Sequence, residues 1–262
     1  MIEKKFDEFV NIVKRLRKEC PWDRVQTNDS IKDSTIEEVY EVVEAIENKD
    51  YDELKKELGD LLLHVVFHSI IAEGENKFKL EDVIDFIQAK LIRRHPHVFG
   101  NAEVSDAENV KKNWEVIKLS EGRKSILEGV PQMMPGLQRA YRLQEKAAKV
   151  GFDWDKKEDV WKKVIEEVEE MHEAEEMHIN NPDNAEMKEH LEKEMGDVFF
   201  ALVNYSRFLK INPENALRKT NQKFINRFNY VEEKVAATGK KINESTLEEM
   251  DIYWNESKKD IN

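Results

Sequence analysis

Residues 57–67, Glu-Leu-Gly-Asp-Leu-Leu-Leu-His-Val-Val-Phe, and residues 194–203, Glu-Met-Gly-Asp-Val-Phe-Phe-Ala-Leu-Val, carry the same pattern twice: two carboxylates three apart, then an apolar run. A spacing of three returns to one helix face, so Glu57 and Asp60 project together, as do Glu194 and Asp197. Neither run alternates as a half-buried strand does, and both are apolar almost all round, so both helices are expected to be buried. An ionised Asp at the mouth of such a core needs a positive partner, because an isolated buried charge is very costly.

Working outward, each pattern is preceded by a second acidic helix, Glu37-Glu38-x-x-Glu41 in one case and Glu166-Glu167-x-x-Glu170 in the other. Like charges at this spacing cost roughly 0.2–0.5 kcal/mol per pair on an exposed helix unless a cation sits among them. A single Glu-Glu-x-x-Glu in a chain that is 37% charged reads as a solvated face. Its recurrence in the same order beside equivalent apolar runs reads instead as a pair of oxygen-rich pockets for a hard divalent cation.

The duplication continues downstream. Lys90-Leu-Ile-Arg-Arg94 matches Lys223-Phe-Ile-Asn-Arg227, and Trp114-Glu-Val-Ile-Lys118 matches Trp254-Asn-Glu-Ser-Lys258. Both halves therefore run as acidic helix, acidic and apolar helix, cationic helix and Trp helix. Gly122, Gly129, Pro131, Pro135 and Gly136 mark the boundary. The expected organisation is a first helical domain over 1–120, a linker over 121–136 and a second helical domain over 137–262. Helices are predicted at Phe6–Glu19, Ile31–Asn48, Tyr51–Ala72, Leu80–Arg94 and Asp106–Leu119, then at Leu137–Lys149, Lys156–His178, Ala185–Lys210, Pro213–Ala237 and Thr246–Lys258. With only 9 Gly and 6 Pro in 262 residues, the fold class is all-α, two tandem helical-bundle repeats. The apolar faces exceed what one short repeat covers, so at least a homodimer is expected.

A net charge of −13 argues against a nucleic-acid polymer as partner, since that binding neutralises phosphates with basic residues. It leaves open a nucleotide held through a metal. The single cysteine, Cys20, excludes an internal disulfide and fits a reducing compartment. The start of the chain lacks an apolar signal core and no segment approaches a membrane span, so a cytoplasmic protein without membrane contact is expected.

Paired bases complete a phosphate chemistry: Lys90 with Arg94, and Lys223 with Arg227, each four apart on one face, can reach oxygens of a polyphosphate. The alternative is surface charge or pairing with the acids. Ahead of each acidic helix lies an aromatic and acidic stretch, Cys20-Pro21-Trp22-Asp23 and Gly151-Phe152-Asp153-Trp154. Such residues offer a nucleobase a stacking face and a hydrogen-bonding edge, or else cap the next helix and bury a ring. His64 and His68 follow Asp60 by one and two turns, yet Ala201 and Tyr205 stand at the matching places, so a polar contact at a helix interface is expected of them rather than metal ligation.

Taken jointly, the acid pattern, Cys-Pro-Trp-Asp at 20–23, Arg-Arg-His-Pro-His-Val-Phe at 93–99 and Val-Gly-Phe-Asp-Trp at 150–154 resemble the MazG family of all-α nucleoside triphosphate pyrophosphohydrolases over nearly the whole chain. The resemblance implies Mg2+-dependent hydrolysis of nucleoside triphosphates, ATP among them, to monophosphate and pyrophosphate, with broad base tolerance, in dimers of helical bundles. It also implies the metal ligands: Glu38, Glu41, Glu57 and Asp60 in the first repeat, and Glu167, Glu170, Glu194 and Asp197 in the second. Lys223, Arg227 and Trp254 match nucleotide-binding positions of the family.

The resulting expectation puts Glu166 as acceptor of the proton of an attacking water, with Lys223 and Arg227 offsetting charge on the phosphates. Substrate contacts are expected from Lys163, Phe152, Asp153, Trp154 and Trp254 in the second repeat, and from Trp22, Asp23, Lys90, Arg94 and Lys118 in the first. Two alternatives compete: a non-catalytic nucleotide-sensing bundle that regulates or scaffolds an unknown protein partner, and a phosphatase acting at the γ-phosphorus.

Overall fold

The computed structural model describes residues 1–101, 106, 110, 117 and 125–260, and the chain divides into two compact units, Met1–Lys118 and Leu119–Asn262. Every regular element among the described residues is helical.

The first unit contains α1 (Ile2–Glu19), α2 (Pro21–Val25), α3 (Lys32–Asn48), α4 (Tyr51–Gly74), α5 (Leu80–Arg94) and α6 (Pro96–Phe99). α3 and α4 form a hairpin. Lys49 ends α3 in the left-handed region at φ +57°, and Asp50 caps α4 by accepting the amides of Asp52 and Glu53 at 3.1 and 3.0 Å. α1 packs on α4, and Val13, Ile31, Val66, Phe67, Ile70 and Ile71 close a solid core there with Phe6, Phe9 and Val10 around it.

The second unit contains α7 (Gly136–Ala148), α8 (Lys157–Asn180), α9 (Ala185–Phe208), α10 (Pro213–Ala237) and α11 (Leu247–Asp260), with a 3-10 turn at Ile242–Glu244. Its hairpin is α8 with α9. The polar insertion around Asn180–Asn184 ends in a cap, Asn184 accepting the amide of Glu186 at 2.9 Å. α7 lies against α9 and α10, and α11 lies against α10.

Predicted and observed helices agree closely, with Leu80–Arg94 and Pro213–Ala237 identical in both. The predicted helix Asp106–Leu119, including Trp114 and Lys118, falls almost wholly outside the described residues. The described part of the segment read as a linker belongs to the second unit, where buried Lys146 donates from Nζ to the carbonyls of Ile126 and Glu128 at 2.9 and 3.0 Å.

One expectation requires correction. The helices after Asp60 and Asp197 are not buried all round: Leu58, Leu62 and Val65 on α4, and Met195, Phe199 and Leu202 on α9, form exposed stripes. The hairpin partner, with α1 on α4 and α7 on α9, covers part of each helix and leaves this stripe open, and Phe200 on α9 is exposed as well. Asp60 and Asp197 are exposed as well, so the burial penalty expected for them does not arise.

Candidate active site

The acidic residues converge across each hairpin. Carboxylate oxygens of Glu38, Glu41 and Glu57 lie within 4.8 Å of one another, and those of Glu167, Glu170 and Glu194 do the same. In each triad two members sit one turn apart on the first helix and the third comes across from the second. Asp60 and Asp197 stand beside these triads rather than in them. Asp60 is near enough to help raise the pKa of Glu38, and Asp197 lines an adjoining cavity.

Glu57, only 8% exposed, is pushed up to about 7, by burial first and then by its hydrogen bond to Glu53 and the charge of Glu41. Burial, then Asp60 and Glu41, raises Glu38; burial, then Glu167, raises Glu170. Carboxyl groups that oppose one another's ionisation mark a place short of positive charge. An all-oxygen donor set at this separation fits a hard divalent cation such as Mg2+. In the second unit Lys163 supplies part of the charge, its Nζ 2.6 Å from Glu166 and 2.7 Å from Glu167, and these bonds raise its own pKa.

Histidines attend both triads without joining them. His64 Nε2 is 3.7 Å from Glu38, while Thr35 Oγ1 bonds His64 Nδ1 and His68 Nε2, each at 2.9 Å, and His68 Nδ1 meets Asn28 at 2.7 Å. His190 Nδ1 lies 3.3 Å from Glu194.

A cavity of about 480 Å³ opens beside the second triad. Its lining includes Glu167, Asp197 and Lys163 together with Phe152, Asp153 and Trp154. Gly151 makes this possible: it leaves α7 at φ +86°, a conformation that favours glycine, and lets the next three residues fold back over the cavity. Arg207 then clasps Asp153 with both terminal nitrogens, one of them at 2.9 Å, and donates from Nε and Nη2 to Asn204 Oδ1 at 3.1 and 2.9 Å. Gln144 on α7 also lines the cavity. Sequence reasoning missed Gln144, Asn204 and Arg207. The available signal was Arg207, a lone cation near the end of an apolar run whose counterpart in the first half is Ile70.

The first unit differs at these positions. In the register set by Glu57 and Glu194, Phe67 stands for Asn204 and Ile70 for Arg207, and both belong to the solid core. His64 stands for Ala201. The cavity adjoining the first triad is about 200 Å³ and is lined largely by carboxylates, including Glu41, Glu44, Asp50, Glu53 and Glu57.

The remaining candidates are dispersed. Lys223 is exposed on α10 and Arg227 is half-buried one turn on; Trp254 of α11 packs on Phe224 with ring centroids 5.3 Å apart. These three do not line the cavity. Lys90 is half-buried over the Phe86 ring at 5.8 Å, and Arg94 is half-buried in the last turn of α5. Trp22 on α2 is 62% exposed, and the carbonyl of Asp23 accepts from Arg17. Glu166, the expected proton acceptor, is exposed and paired with Lys163.

Fold and site together define a class: an all-α protein of duplicated acidic hairpins, each with a carboxylate triad suited to a divalent cation. The chain belongs to the MazG family, whose nucleotide pyrophosphohydrolase domain matches it twice, over residues 26–99 and 156–232. It is 44% identical over 258 residues to the nucleoside triphosphate pyrophosphohydrolase/pyrophosphatase MazG of Thermotoga maritima, covering 97% of this chain and 95% of that protein. It is 42% identical over 261 residues to the nucleoside triphosphate pyrophosphohydrolase of Escherichia coli, covering 97% of each chain. Uncharacterized protein YabN of Bacillus subtilis is 44% identical over 258 residues, which span 51% of its length. No helix among the described residues is long and apolar enough to cross a membrane.

Proposed function

We propose that this protein hydrolyses nucleoside triphosphates, ATP among them, to nucleoside monophosphate and pyrophosphate with Mg2+ as cofactor, accepting several bases, and that it works as a homodimer. One observation carries the reading: Glu167 belongs both to the second carboxylate triad and to the lining of the cavity. A nucleotide whose base enters that cavity brings its phosphate chain to the triad. Relatives that align with nearly the whole chain bear the name of this activity, which supports the assignment.

Glu167, Glu170 and Glu194, with Asp197 beside them, would hold the cation in the second unit; Glu38, Glu41 and Glu57, with Asp60, would hold it in the first. When bound, Mg2+ would supply positive charge against the phosphate oxygens and make the attacking water more acidic. Water attacks the α-phosphorus, the bond to the bridging oxygen of the β-phosphate breaks, and pyrophosphate leaves. Glu166 accepts the proton of the water. Lys163, already held between Glu166 and Glu167 and lining the cavity, balances charge on the phosphates, and Lys223 and Arg227 approach them from α10. Phe152 and Trp154 provide stacking faces.

The matching exposed stripes support assembly with a second copy of the chain, since the same three positions recur on α4 and α9. The deciding experiment separates products from mixed triphosphates with and without a chelator. The expected result is pyrophosphate and monophosphate, abolished by chelation. Orthophosphate and diphosphate as primary products point to attack at the γ-phosphorus, and nucleotide binding without turnover points to a regulatory protein; either overturns the proposal.

A further inference from the structure

We propose that Gln144 and Asn204 read the edge of the nucleobase in the second unit's cavity, with Gln144 Oε1 requiring an N–H donor on that base. The inference rests on the proposed function and goes beyond it by naming what the cavity selects.

Gln144 is 8% exposed, and its Nε2 donates to the carbonyl of Phe200 at 2.8 Å, which fixes which way its amide points. Its Oε1 is then left buried with no partner among the described residues. Nearly all buried polar atoms in folded proteins are hydrogen-bonded, so an orphaned acceptor in the wall of a cavity points to a donor brought by a ligand. Asn204, 4% exposed, is fixed in the opposite sense. Its Oδ1 accepts from Nε and Nη2 of Arg207, and Arg207 is itself held by Asp153, so the Asn204 amide nitrogen remains to donate. Arg207 and Asp153 are thus positioning residues for Asn204.

Gln144 and Asn204 both line the cavity beside apolar residues such as Leu143, Val160 and Ala201, so an acceptor and a donor stand ready for a ligand that displaces the packing over Oε1. A flat heterocycle with an N–H beside an acceptor complements it. Adenine and cytosine present an exocyclic amino group next to a ring nitrogen; guanine and uracil present a ring N–H next to a carbonyl. Such a site accepts all four and rejects a base stripped of the N–H, because a cavity built to hydrogen-bond discriminates strongly against an analogue that leaves its polar groups unpaired.

The test measures kcat/KM by pyrophosphate release for ATP and for purine riboside triphosphate, in which hydrogen replaces the amino group of adenine, on the full-length protein and on Gln144→Met. Wild type should favour ATP by about tenfold or more. In Gln144→Met the preference should collapse toward unity through loss of activity on ATP alone. A variant that loses equal activity on both substrates shows a packing role for Gln144 and overturns the proposal, as does a wild type that uses both substrates equally. Gln144→Asn, which withdraws the amide from the cavity, serves the same comparison if Gln144→Met does not fold. A wild-type protein that releases pyrophosphate from no triphosphate refutes the proposed function instead, an outcome distinct from the other two.

Discussion

At the scale of single residues, the contrast between Ala201 and His64 states what separates the two repeats. Ala201 leaves room in the cavity wall, whereas His64 at the matching place fills its site and bonds Thr35. Ala201→Leu adds apolar volume to an existing cavity without adding a polar group. Its expected effect is a KM for triphosphates raised by about tenfold or more, on the scale of a misfitting methylene or two in a binding pocket, with the melting temperature kept or slightly raised. Steady-state kinetics and a thermal melt check both parts, and an unchanged KM would remove the base from this cavity. The acids around it were legible in the sequence because charges at helical spacing, repeated beside the same apolar run, leave few readings. Gln144, Asn204 and Arg207 were not. Neutral amides carry no periodic signature, and a single arginine in a helix reads as surface charge until Asp153, 54 residues away in sequence, is seen to hold it.

At the scale of elements, helix type and extent could be read from periodicity and caps, but burial could not. An apolar run says that a helix avoids water; which neighbour covers it is a matter of packing between elements. On α4 and α9 the covered side faces the remainder of each unit, and Leu58, Leu62 and Val65 or Met195, Phe199 and Leu202 remain exposed. If a second copy covers these stripes, a charge placed in their centre should split the assembly. Leu62→Lys combined with Phe199→Lys is expected to convert a dimer to a monomer by light scattering while circular dichroism shows unchanged helicity, because both positions are already solvent-facing in the single chain. A wild type that scatters as a stable monomer at micromolar concentration contradicts the dimer directly.

At the scale of the whole molecule, the repeat preserved its acids and diverged in what lies beside them. Both units gather three carboxylates within 4.8 Å, but beside the second triad lies a cavity of about 480 Å³ and beside the first a carboxylate-lined one of about 200 Å³. Phe67 and Ile70 complete a core in the first unit where Asn204 and Arg207 furnish the cavity in the second. The duplication was plain in the sequence. The difference in interior was not, because it depends on what α1 and α7 bring to the same two faces. If the cavity receives the base, most turnover on mixed triphosphates belongs to the second unit. Glu167→Gln removes one carboxylate charge at nearly constant volume and should lower the rate by about a hundredfold or more, the scale of losing a strong electrostatic contribution at a reacting centre. Glu38→Gln should cost much less on the same substrates. Both variants should still lose part of the rise in melting temperature that saturating Mg2+ gives the wild type, since a ligand that binds only the folded state stabilises it and each variant weakens one of the two sites. That second readout separates the cases. If Glu38→Gln abolishes turnover while Glu167→Gln keeps most of it, catalysis belongs to the unit without the large cavity, and the placement of the base fails with it. If instead neither variant changes the response to Mg2+, the triads are not cation sites, and their raised carboxyl pKa values reflect burial and mutual repulsion alone.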